Sequence, residues 1–71
     1  MDREQLAFAI FCVEAVADAL GTDGREAYDR LDRSGLLDGY ILPNWEILHT
    51  QGREYIARDL LELLQEWEAM A

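Results

Sequence analysis

The residues that could do chemistry are few and lie far apart. The chain holds one cysteine, Cys12, one histidine, His49, one serine, Ser34, and fifteen carboxylates against six arginines. Group transfer would call for a nucleophile, a base and an orienting acid, and no recognisable spacing joins them here. Cys12 falls among apolar neighbours, which predicts a buried and inert thiol. One cysteine and one histidine can complete neither a zinc site nor an internal disulfide. The carboxylates do not follow a calcium-loop pattern, and no glycine-rich loop is present to cradle a phosphate. A non-enzymatic role with no cofactor is the expectation.

His49-Thr50-Gln51-Gly52 is the one compact polar motif, and it stands just before the last helical segment. A helix N-terminus offers free N–H groups to an anion, and Gly52 permits close approach of a backbone or ligand. The structural reading of the same residues has Thr50 as N-cap, His49 in a structural hydrogen bond and Gly52 relieving crowding. Nine excess negative charges work against an anion pocket. If His49 is functional, a pH-sensitive contact fits better than catalysis.

The acidic balance also bears on partners. A net charge of −9 is repelled by phosphates, so direct nucleic-acid binding is disfavoured. Basic protein surfaces fit better, although strong charge also serves solubility alone. Glu14–Asp18 and Glu62–Glu66 are like charges four residues apart, each costing its helix about a few tenths of a kcal/mol. A basic partner surface would relieve both pairs. The start, Met1-Asp2-Arg3-Glu4-Gln5, is acidic where a secretory signal needs positive charge. Glu14 and Asp18 break the apolar run before a membrane span of about 20 residues is reached. The expectation is a cytoplasmic protein with no membrane contact.

Helices must position these groups, because composition favours helix throughout and the strand signature is weak. The first is expected from Arg3 to Leu20, with Gly21 as its stop. At 100° per residue, Arg3, Glu4, Glu14 and Asp18 share one stripe, and apolar residues cover nearly all the rest. Phe8, Phe11, Cys12 and Ala15 make a second apolar face, away from Leu6, Val13 and Leu20. Any uncovered remainder of that face would dock a partner or a second copy, giving a homodimer. Asp23-Gly24-Arg25-Glu26 has capping-box spacing, with Thr22 as competing cap, and opens a second helix from Gly24 to Arg33. Ala27, Tyr28 and Leu31 form its apolar stripe. Arg25–Asp29, Glu26–Arg30 and Asp29–Arg33 are expected ion pairs along its surface.

Leu36 to Leu42 fits one short helix ended by Pro43. Asn44 to Leu48 reads as irregular or extended, with Trp45, Ile47 and Leu48 as core contacts. Thr50 would cap a last helix from Gln51 to Ala69, whose Ile56, Leu60, Leu63, Trp67 and Met70 recur at four-three spacing. Glu54, Arg58, Glu62 and Glu66 line its opposite face. At about 28 Å this helix matches the first in length, so the two should pack together. The expected fold is all-α: one domain over 1–71, a bundle of three main helices plus one or two short helical turns.

Several fragments in this order carry a resemblance. They are Phe11-Cys12-Val13-Glu14, Gly24-Arg25-Glu26-Ala27-Tyr28, Gly35-Leu36-Leu37-Asp38-Gly39-Tyr40, and Trp45 through Ile56 with Leu48-His49-Thr50-Gln51-Gly52 at its centre. Together they resemble a small bacterial family among the domains of unknown function, numbered 3791. Pro43 and the uncharged Ile41-Leu42 depart from the acidic stretch expected there. The resemblance implies a short, helical protein with no catalytic residue to carry over. Some members look like neighbours of a second family resembling ADP-ribosyltransferases, which implies an antitoxin-like partner for such a toxin. It also marks His49, Thr50, Gln51, Gly52 and Tyr55 as a motif whose role, structural or contact, needs testing.

Three roles follow as expectations. The first is an interaction module, antitoxin-like, that docks through Phe8 and Phe11 and complements basic residues with Glu14, Asp18, Glu62 and Glu66. The second is an acidic mimic of nucleic acid that blocks a nucleic-acid-binding protein. The third, a helix-turn-helix regulator, draws on Arg25, Arg30 and Arg33 and is opposed by Glu26, Asp29 and Asp32 on the same helix.

Overall fold

The computed structural model describes residues 2–70. Four α-helices, α1 (Arg3–Leu20), α2 (Gly24–Arg33), α3 (Trp45–Leu48) and α4 (Arg53–Met70), alternate with turns. A π-helical turn, Leu37–Ile41, lies between α2 and α3. No strand occurs among the described residues. This is the expected all-α arrangement of three main helices and two short turns.

The ends of α1 follow from its flanking residues. Asp2 accepts the Gln5 backbone N–H at 2.8 Å, and Gln5 Oε1 accepts the Asp2 N–H at 3.2 Å. This reciprocal pair satisfies two donors that the helix leaves free. Gly21, at φ +72°, closes the helix in the left-handed conformation, which only glycine adopts at no steric cost. At α2, Asp23 accepts the Glu26 N–H at 2.8 Å. The expected return bond from Glu26 is not among those the described residues make. Thr22 is no competing cap, because its hydroxyl donates to the Asp23 carbonyl.

Two segments between the long helices differ from expectation. The Leu42 N–H reaches the Leu37 carbonyl at 3.0 Å, the wider i→i+5 closure of a π-turn. Gly39 then lies beneath the Trp67 indole, where a Cβ would come within 3.1 Å of the ring. Asn44 to Leu48 is not extended, since Trp45–Leu48 forms an α-turn. Pro43 has no N–H to give, and Asn44 next to it donates both its backbone N–H, at 3.2 Å, and its side-chain amide, at 2.8 Å, to the Tyr40 carbonyl. Leu48 is buried and Trp45 packs at the core's edge, but Ile47 is 68% exposed and makes no core contact.

Thr50 does not cap α4. Its hydroxyl donates to the Ile47 carbonyl at 2.7 Å and so closes α3 instead. The helix begins at Arg53, with the Gly52 carbonyl accepting the Ile56 N–H at 3.0 Å. Ile56, Leu60 and Leu64 form its buried stripe, Leu63 and Trp67 flank it, and Met70 projects into solvent. Glu54, Arg58, Glu62 and Glu66 are exposed as expected. The helix packs on α1 as expected. Cys12 and Val16 of α1, Ala27 and Leu31 of α2, Leu36, Ile41 and Leu60 are fully buried, and no polar side chain is buried with them.

Charge is settled between helices rather than along α2. Arg30 grips Glu68 of α4 with both ends of its fork, Nε to Oε2 at 2.9 Å and Nη2 to Oε1 at 2.7 Å. Arg53 pairs with Asp18 of α1 at 2.5 Å. None of the three expected pairs within α2 forms, and Arg33 donates to the Asp29 carbonyl instead. A bidentate, partly buried contact outweighs a solvated pair one turn away. The Arg30 hydrogen bonds hold the Glu68 carboxyl below its usual range, and the Arg30 guanidinium is raised in turn.

A depressed carboxylate stabilises the fold fully above its unfolded value of about 4.3, and the contribution is lost as pH falls through the lower folded value. The stability advantage of the wild type over Glu68→Gln, read by urea unfolding, is therefore expected to be constant from about pH 7 to about pH 5. It should then shrink in stronger acid. A full advantage persisting at about pH 2 would contradict the Arg30 coupling.

Candidate functional site

Three apolar side chains at one flank of α1 set the candidate surface. Leu6 and Ile10 are each about half exposed, at 51% and 50%, and Val13 is partly covered. They follow one another at four- and three-residue steps, so they share a helix face. The chain bends by 108° between α1 and α2, which brings Gly24 and Tyr28 beside that face. Leu37 closes the far side. The result is an apolar groove of about 360 Å³, with Glu14 at its edge. At ten residues, about 15 Å, α2 is too short to roof the whole flank.

This reverses the expected allocation of α1. Phe8, assigned above to docking, is only 8% exposed, and Phe11 packs against the core's edge. Their rings stack 6.2 Å apart, and the Arg53 guanidinium lies 5.6 Å from the Phe11 centroid. The open apolar face is instead the one with Leu6 and Val13. Tyr28, expected in the stripe of α2, is 46% exposed and belongs to the groove.

The four acidic positions part company. Glu14, Asp18, Glu62 and Glu66 are all exposed. Only Glu14 lines the groove. Asp18 already has a counter-ion in Arg53, so its pair with Glu14 is not without local compensation. Glu62 and Glu66 lie on the solvent face of α4, which contributes nothing to the groove lining.

The histidine motif closes α3. His49 Nδ1 lies 2.9 Å from the Trp45 carbonyl, and because a carbonyl only accepts, Nδ1 carries the proton. The imidazole sits 5.0 Å from the indole of Trp45, tilted by 34°. Gln51 donates its N–H to the Leu48 carbonyl at 2.9 Å. A Cβ on Gly52 would meet nothing within 4 Å, so crowding does not explain this glycine. Tyr55 is 51% exposed on the first turn of α4. Glu4, Ala7, Phe8, Trp45 and His49 line a second recess of about 470 Å³. Sequence reasoning did not place Glu4 beside Trp45 and His49, because only the fold brings residues so distant in the chain together. The open Leu6–Ile10 flank had a signal, namely the unusual width of the apolar arc on α1.

The remaining chemistry-bearing groups serve the fold. Tyr40 donates its hydroxyl to Asp59 at 2.6 Å, tying the π-turn to α4. Burial first, and Asp59 second, push its pKa up to about 12. Burial alone pushes the Cys12 thiol up to about 12. Among the described residues, no three of the His, Cys, Asp and Glu side chains are grouped to hold a metal ion. Among the same residues, no single helix is long and apolar enough to cross a membrane.

Fold and geometry thus define a small all-α domain with an apolar groove and an aromatic-lined recess. The model of the family described as "Protein of unknown function (DUF3791)" matches residues 7–67, and the chain belongs to that family. No curated protein and no solved structure matches it.

The state of Cys12 is testable directly. Native protein at about pH 8 is expected to resist a disulfide thiol reagent, with modification tracking global unfolding as urea is added. Rapid labelling of the native protein would place Cys12 at a reactive surface instead.

Proposed function

We propose that this domain is a non-enzymatic protein-interaction module that neutralises a partner protein by occlusion, in the manner of an antitoxin. The observation that supports this reading is the groove. It concentrates Leu6, Ile10 and Tyr28, three of the larger apolar side chains left in water, on one flank of α1. Burying the remaining exposed surface of Leu6 and Ile10 would contribute about 1 kcal/mol each, enough to make the pair central to an interface. A second copy is a poor occupant, because each chain carries nine excess negative charges and Glu14 would meet its own kind. A basic protein suits both the rim and the overall field, which speeds and orients association. Toxins resembling ADP-ribosyltransferases are the partner class that the family resemblance brings forward.

The helix-turn-helix reading loses support from the geometry. Arg30 is engaged by Glu68, so it is not free for a phosphate. Arg25 and Arg33 then stand among Asp23, Glu26, Asp29 and Asp32.

Tagged wild type and Ile10→Asp, both confirmed as folded by circular dichroism, should be compared as baits in host extract. Ile10 is half exposed, so the substitution leaves the buried core intact. A partner retained by wild type is expected to bind Ile10→Asp at least about tenfold more weakly, since a charge would enter an apolar contact. Suppression of that partner's toxicity should fail in parallel. Equal retention by both baits would remove the groove from the mechanism. Displacement of the partner by duplex DNA would favour the nucleic-acid mimic.

A further inference from the structure

We propose that the recess between the first turns of α1 and the α3 turn receives an arginine side chain of the partner protein. The proposal rests on the interaction reading above and identifies one anchoring group of that partner. One side of the recess is aromatic: the indole of Trp45 and the imidazole of His49 pack on each other at 5.0 Å, with Phe8 also in the lining. The bond from His49 Nδ1 to the Trp45 carbonyl holds the imidazole in place. Glu4 supplies a carboxylate to the lining. Ion pairs among the described residues are Arg30–Glu68 and Arg53–Asp18, so no arginine of this chain answers Glu4.

Aromatic faces beside a carboxylate suit a planar cation on an apolar stem. Guanidinium meets both demands, because it stacks on rings and donates to carboxylate oxygens at once. An ammonium group is a compact, strongly hydrated point charge and gives up more water to enter.

The molecule already holds one arrangement of this kind. Arg53 lies over Phe11 while it bonds Asp18. Asp18 follows Phe11 by seven residues and Glu4 precedes Phe8 by four, and each spacing returns the carboxylate to its ring's side of α1. The two rings stack on each other, so the Arg53 site and the recess share one aromatic pair. The first is filled by the chain's own arginine. The second adds the Trp45–His49 ring pair and receives none of the chain's arginines. A second copy would bring nine more negative charges with its arginines, which leaves a basic partner as the source.

The test is an NMR titration of the full chain with N-acetyl-arginine methylamide, beside the citrulline analogue, which keeps the shape and loses the charge. The arginine probe is expected to shift the Trp45 indole and His49 ring resonances saturably. Citrulline should bind at least about tenfold more weakly. Glu4→Gln lies on an exposed first turn and should weaken the arginine probe about threefold. Shifts that are equal for citrulline, unchanged in Glu4→Gln, or absent overturn the proposal. Arginine binding that survives in Ile10→Asp, where partner capture is lost, supports the recess as a separate anchor. Arginine binding that fails while partner capture persists overturns the recess and leaves the interaction reading in place.

Discussion

One helix is apolar around more of its circumference than the rest of the chain can cover, and that imbalance shapes the molecule. Cys12 and Val16 sit at the centre of α1 with no exposure, and Phe8, Ala9, Ala15 and Ala17 surround them. Among the described residues only four further elements, two of them short turns, can lie against this cylinder. α4 and the α3 turn take one flank, while α2 and the π-turn reach only part of the other. Small domains bury a modest fraction of their surface, so a deficit on a central helix cannot be repaired from elsewhere. The Leu6–Ile10 groove is that deficit made visible.

The arginines are used with the same economy. Two of the six bridge separate helices, Arg30 from α2 to α4 and Arg53 from α4 to α1. Each joins elements that local propensity alone would leave independent. Tyr40 and Asp59 add a neutral-to-charged tie between the π-turn and α4. The Trp67 indole, lying against Gly35 and Gly39, completes the same corner from the apolar side. Polar ties therefore ring the core without entering it, and no buried side chain requires a polar partner. Removing charge at the surface should tune the docking of helices rather than unfold any one of them.

Legibility in the sequence followed the range of the forces involved. α1 and α2 begin and end where Gly21, Asp23 and Ser34-Gly35 indicate, because caps act over three or four residues. The burial of Ile56 and Leu60 was readable from helical period, but Leu64 takes the third buried place while Leu63 and Trp67 of the expected stripe only flank it and Met70 escapes it. Thr50 misled, since its hydroxyl can serve the preceding helix end as readily as the following one. The three charge pairs expected along α2 misled for a related reason, as sequence spacing cannot show that Glu68 offers Arg30 a better geometry. Trp45–Leu48 turned helical directly after Pro43, where Asn44 holds the Tyr40 carbonyl through both its backbone and its side-chain N–H, a pairing that composition does not reveal. The groove was half legible: the excess apolar arc was plain, but which side of it stayed open depended on where α3 and Arg53 came to rest.

Groove and recess differ in what they can give an interaction. Apolar burial in the groove is non-directional, so a partner helix could slide or rotate there at little cost. A guanidinium held against an aromatic surface and a carboxylate is directional and would fix register. On a wheel of 100° per residue, Leu6 and Ile10 fall on one side of the solvent-facing stripe of α1 and Phe8 on the other, with Glu4 at the stripe's edge beside Phe8. A partner that straddles this stripe would meet the apolar flank and the cation site together. The carboxylate stripe between them would contribute mainly to the rate and orientation of approach. In that arrangement the acidic surface, the uncovered flank and the aromatic recess supply attraction, burial and register, and none of the three could supply the other two.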